Sequence, residues 1–127
     1  MTGTDWDVAL VEDKGNILAV WPYCTDRKTG LTLLRNPLLT PYLGPYFLLP
    51  EYGSEAKRLN KEDKIYKAFW EQLPRRDFFE VQCLPGYNNF LPFHHRGFTH
   101  TQRITYRIDL TLSIDEIWNG IDAAKKK

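Results

Sequence analysis

Trp6-Asp7-Val8-Ala9-Leu10-Val11-Glu12, then Asp13-Lys14-Gly15-Asn16, then Ile17-Leu18-Ala19-Val20-Trp21-Pro22-Tyr23 is the stretch on which the fold turns. Both arms are rich in strand formers, and the polar, glycine-containing tetrad between them supplies turn chemistry, so the stretch reads as a β-hairpin. The apolar runs are nearly continuous rather than alternating, which predicts strands covered on both faces. Working outward, Asp26-Arg27-Lys28-Thr29-Gly30 reads as a second polar turn and Leu31-Thr32-Leu33-Leu34-Arg35 as a third strand. The three strands together form an antiparallel meander, with segments 6–12, 17–23 and 31–35 as consecutive antiparallel neighbours.

From Asn36 to Gly53 the text changes, with four prolines, two glycines and three tyrosines in eighteen residues. Each proline removes a backbone donor and restricts the residue before it, so 36–53 reads as an extended loop, apolar enough to lie against the body. Asn60 then reads as the cap of a helix whose apolar positions Ile65, Tyr66, Phe69, Trp70 and Leu73 recur at helical spacing until Pro74 stops it. Phe78 to Leu84 reads as a fourth strand, broken by Pro85-Gly86. Arg103-Ile104-Thr105-Tyr106-Arg107-Ile108-Asp109-Leu110 alternates polar and apolar throughout and predicts a half-buried strand with one wet face. Ser113 and Glu116 form a capping box, with Leu112 placed to staple against Ile117. The amphipathic helix they open carries Ile114, Ile117, Trp118 and Ile121 as a stripe that needs a surface to dock on.

The chain has 127 residues, 43% of them hydrophobic and 26% charged, which describes one globular α+β domain. Seventeen basic against sixteen acidic side chains leave a net charge of +1, so there is no basic field of the kind nucleic-acid binding requires. Two cysteines, Cys24 and Cys83, are too few for a disulfide framework and too far apart for a zinc knuckle or redox pair. A reduced, cytoplasmic protein is the expectation, because neither a signal sequence nor a membrane span can be read in the text. Lys125-Lys126-Lys127 could favour a helix end, contact anionic lipid or simply mark where the reading frame stops.

The element order, together with the wording of Val8–Tyr23, of Leu39-Thr40-Pro41-Tyr42-Leu43-Gly44-Pro45 and of Thr105–Leu110 before a Ser-capped helix, resembles the N-terminal half of a FemAB-like, peptidoglycan-bridge type GNAT acyltransferase of bacteria. The resemblance implies a GNAT-like half-domain: an antiparallel meander packed by helices over 1–112, then an amphipathic helix over 113–127 leading to a missing second half. It implies a cofactor or donor, acyl-CoA or aminoacyl-tRNA, handled by the full-length enzyme, with none bound by this chain alone. The expected role is therefore acceptor-side and non-catalytic, in transfer of an acyl or aminoacyl group to an amine. Expected partners are the missing half, or a second copy, through Ile114, Ile117, Trp118 and Ile121, and a cell-wall precursor or small amine acceptor. A standalone protein-interaction module without acyl chemistry is the rival reading.

The residues themselves bound that chemistry. No glycine-rich turn leads into a helix: Lys28-Thr29-Gly30 enters a strand and Gly53-Ser54-Glu55 is a lone glycine before an acid, so neither reads as a phosphate cradle. His94, His95 and His100 could offer imidazoles to a metal or one general base, but no adjacent acid or cysteine completes a set, and solvated loop histidines are the simpler reading. Cys24 and Cys83 lie in apolar surroundings, where a thiol behaves as a small hydrophobe. The candidate substrate-binding residues are Tyr42, Tyr46, Arg96, Arg103 and Arg107. The arginines suit a carboxylate or phosphate, against the plainer reading of a solvated strand face. Tyr42, Tyr46, Phe47 and Tyr52 are aromatic faces for a sugar or peptide, or else side chains that cap the core.

Overall fold

A computed structural model describes residues 5–48 and 53–121; Tyr52 and the Lys125–Lys127 run lie outside the described residues. The hairpin forms as the sequence predicts. Strand β1 (Asp5–Asp13) pairs antiparallel with β2 (Asn16–Lys28), and β2 pairs antiparallel with β3 (Leu31–Leu34), from Thr25 opposite Leu34 to Lys28 opposite Leu31. Both connections are two-residue turns whose central residues take positive φ, Lys14 and Gly15 in the first and Thr29 and Gly30 in the second. That is the turn geometry whose twist matches paired strands. The second turn is accordingly narrower than the sequence suggests. Asp26, Arg27 and Lys28 belong to β2, and the buried Asp26 carboxylate is held by Arg35 at 2.6 Å.

Two short strands complete a mixed sheet. β4 (Tyr46–Phe47) pairs antiparallel with β2 inside the proline-rich loop, and β5 (Phe78–Phe79) pairs parallel with β3. The expected strand over 78–84 thus forms over two residues only. Its partner β3 ends at Leu34, and Pro37 shortly beyond has no N–H with which to continue a ladder.

Helix α1 (Glu55–Gln72) covers one face of the sheet and begins before the expected cap at Asn60, which falls inside it. Ser54 is the cap, its Oγ accepting from the Lys57 N–H, and Arg58 bridges Glu55 and Glu62 across the first turns. The helix stops at Gln72 before Pro74, as predicted. Ile65, Tyr66, Phe69 and Trp70 of α1 meet Ala9, Ala19, Trp21 and Leu34 of the sheet to form the core, with Phe93 of the short helix α2 (Leu91–His94) closing it. The other face is open among the described residues, contrary to the expectation that both be covered: Trp6, Val8 and Leu10 are exposed there, opposite Cys24, Pro22 and Val20.

The segment 103–110 does not form the half-buried strand its alternation predicts. Ile104, Tyr106, Ile108 and Leu110 are each between 66% and 88% exposed, and the segment belongs to no ladder. Alternation specifies which side chains share a face, but a strand also needs a neighbour, and none of the described strands reaches this one. Helix α3 (Ile114–Gly120) carries the capping box read from the sequence, with both Ser113–Glu116 hydrogen bonds present; it buries none of its residues, and Ile121 lies just past its end.

Trp21 sits at the centre of the core with no exposed surface. Trp21→Ala is expected to lower the unfolding free energy by about 3–5 kcal/mol in urea titration at neutral pH, since no neighbour is free to fill so large a cavity.

Candidate functional site

An open groove of about 1160 Å³ lies between segments 78–87 and 99–107, floored by Phe90, Phe93 and Phe98. One wall is built on the proline-rich loop. Leu43 N–H donates to the Gln82 carbonyl at 2.9 Å, and Gln82 N–H donates to Asn36 Oδ1 at 3.2 Å. With its side-chain amide turned to satisfy both neighbours, Gln82 donates to the Pro41 carbonyl at 3.0 Å and accepts from Arg103 Nη1 at 3.1 Å. Gly44 is buried against the same wall. A Cβ there would stand 3.1 Å from Cys83 Cα, so the loop can press this closely only with glycine at that position.

Beneath the groove lies a polar layer the sequence did not disclose. Glu62, on the buried side of α1, accepts from Arg58 Nη1 at 2.5 Å and from Asn89 Nδ2 at 2.6 Å. Tyr87 donates to the Asn89 carbonyl and therefore accepts from the Tyr66 hydroxyl. Burial pushes both phenols well above the ordinary tyrosine range. Burial likewise raises the Cys83 thiol, to about 11, and raises that of Cys24. Neither cysteine is poised as a nucleophile.

The groove brings together three of the five candidate residues: Tyr42, Arg103 and Arg107 line it. Tyr46 lies apart in β4, opposite Val20. Arg96 is drawn into a different role, its guanidinium 5.1 Å from the centre of the Trp70 ring, whose face Arg76 also approaches. Gln82 is the groove residue that reading by charge and aromaticity missed; an amide between two loop segments carries no sequence signature. The histidines diverge: His100 stacks on Phe90 at 4.8 Å between ring centres, while His94 ends α2 and His95 follows it. Among the described residues no three His, Cys, Asp or Glu side chains converge as a metal site, and no helix is long and apolar enough to cross a membrane.

Compared with protein-family models, with curated proteins and with solved structures, the chain finds no match in any of the three.

Two outcomes follow from the buried acids. Native-state alkylation of Cys83, followed by mass spectrometry, is expected to keep accelerating up to about pH 11 rather than levelling off near 9. Because Tyr66 and Tyr87 have raised values in the folded state, the stability they contribute is complete below the unfolded tyrosine value near 10 and falls as pH rises beyond it. Urea midpoints measured from about pH 8 to 11 should therefore decline at the alkaline end, and less steeply in a Tyr66→Phe/Tyr87→Phe variant.

Proposed function

We propose that this chain is the acceptor-side, non-catalytic part of a bacterial FemAB-like N-acyltransferase, holding an amine-bearing acceptor for a separate catalytic unit. The observation that carries this reading is the meeting of Tyr42, Arg103 and Arg107 on one open groove, joined by Gln82. Neither Arg103 nor Arg107 has a carboxylate within ion-pair distance among the described residues, so both guanidiniums remain available to a carboxylate or phosphate of the acceptor. The meander and its covering helix fit the half-domain that the sequence resembles.

In this reading the acceptor's neutral amine attacks the donor's acyl carbon. A C–N bond forms, the thioester or ester bond of acyl-CoA or aminoacyl-tRNA breaks, and the amine proton passes to a base of the catalytic unit. This chain contributes position: it fixes the acceptor so that the amine faces the donor, converting a chance encounter into a held geometry. The acyl donor is held by the other unit, and this chain alone is expected to be inactive. Ile114, Ile117 and Ile121 are the surface offered to that unit. A cytoplasmic setting belongs to the same reading, with both thiols free.

Titration calorimetry with a nucleotide-linked muropeptide is the test. The reading expects measurable binding, weakened about tenfold or more in Arg103→Ala/Arg107→Ala, and no thermal shift with acetyl-CoA. Undiminished binding by the double variant, or none by the parent chain, would count against it.

A further inference from the structure

Both walls of the groove carry backbone groups that have no partner among the described residues, a property that the acceptor reading does not use. On one wall Gln82 directs both its N–H and its carbonyl to the proline-rich loop, while Val81 and Cys83 on either side of it make no backbone hydrogen bond among the described residues. On the other wall no backbone group from Thr99 to Ile108 is hydrogen-bonded among them. Between the walls lies an aromatic floor, Phe90, Phe93 and Phe98. Backbone donors and acceptors without partners among the described residues, lining one groove with an apolar floor, are groups that an extended polypeptide segment satisfies when it lies alongside as a strand.

The opposite edge of the sheet is treated otherwise. At Leu10 of β1 the Gln72 side chain accepts from the backbone N–H and donates to the backbone carbonyl, both at 2.9 Å, so an amide occupies the place where another strand would bond. That edge is plugged, as exposed edges generally are. Among the described residues no side chain caps Val81 or Cys83 in this way.

We propose that the groove binds an extended, acidic polypeptide segment by strand addition, its backbone bonding to Val81 and Cys83 on one side and to residues 101–105 on the other. Alternate side chains then lie on the phenylalanine floor and the others stand clear of it. The charge of the lining selects acidic segments: among the described residues it carries Arg103 and Arg107, neither in an ion pair, against the single acid Glu80. The same charge disfavours a second copy of this chain, whose own alternating segment would bring Arg103 and Arg107 against their counterparts. The proposal does not rest on acyl transfer; a strand-binding groove would serve a pure interaction module equally well.

The probes are short fluorescent peptides alternating valine with glutamate, the same peptide with lysine for glutamate, and the glutamate peptide N-methylated at every second backbone amide. Binding is read by anisotropy, and amide exchange by NMR on the full chain. The expected result is that the glutamate peptide binds and slows exchange at Val81 and Cys83. N-methylation, which removes donors while keeping the side chains, should weaken it about tenfold or more, and so should lysine. Arg103→Ala/Arg107→Ala should erase the preference for glutamate over lysine but leave the sensitivity to N-methylation, which separates this outcome from failure of the acceptor reading. Equal binding of the N-methylated peptide overturns strand addition. Protection of Val81 and Cys83 without peptide also overturns the proposal: in a dimer by sedimentation the occupant is a second copy, and in a monomer it is another segment of the same chain.

Discussion

Everything else in this structure is arranged around the Trp21 ring. It projects from β2 and meets Tyr66, Phe69 and Trp70 of α1, Phe79 of β5 and Phe93 of α2, with ring centres 5.3–6.1 Å away and mostly edge to face. Edge-to-face contact sets the positive rim of one ring against the negative face of another, so each pair fixes an angle as well as a distance. Five such contacts, from three elements, leave the helix, the parallel strand and the short second helix little freedom in how they sit on the hairpin. The indole Nε1–H has no hydrogen-bond partner among the described residues, so packing holds the ring there, and uncompensated desolvation is the cost of that position.

That arrangement explains why the polar layer lies where it does. Once Phe69, Trp70 and Phe93 have taken the middle of the core, its edge toward the groove is left to Tyr66, Glu62 and Asn89, groups that must be bonded to be buried. Arg58 on the solvent side and the Tyr87 hydroxyl on the groove side complete their partners. Tyr87 and Asn89, at the end of one groove wall, are thus tied to α1 through hydrogen bonds rather than through apolar contact alone.

Where the sequence was legible and where it was not divides along the reach of the interaction involved. The hairpin, the third strand, the end of α1 at Pro74 and the capping box of α3 all depend on residues a few positions apart, and each was read correctly. The start of α1 was misplaced because Asn60-Lys61-Glu62-Asp63 imitates a cap while Ser54, the real one, sits beside a glycine and precedes the apolar stripe by more than two turns. Glu62, which no local signal marks as buried, is buried inside α1, its carboxylate held by Asn89 far along the chain. The strand expected over 103–110 shows the same limit from the other side: its pattern is local and present, but its ladder is not. Of the candidate binding residues, composition could find Tyr42, Arg103 and Arg107, but only the Leu43–Gln82 and Gln82–Arg103 links put them on one groove.

The groove joins the aromatic core to one of the least buried segments among the described residues. Phe93 and Phe98 belong both to its floor and to the aromatic cluster, where Phe98 stacks on Trp70 at 5.5 Å and contacts Phe79 at 4.8 Å. The far wall buries almost nothing beyond Thr99, so little free energy opposes its movement over that floor. A site with one fixed and one yielding side can close on a ligand without disturbing the core, because the side chains it presents from below are already held by Trp21's neighbours. The same division bears on the exposed apolar row at Ile104, Tyr106 and Ile108: burying that row on the floor would draw the wall onto it and abolish the groove.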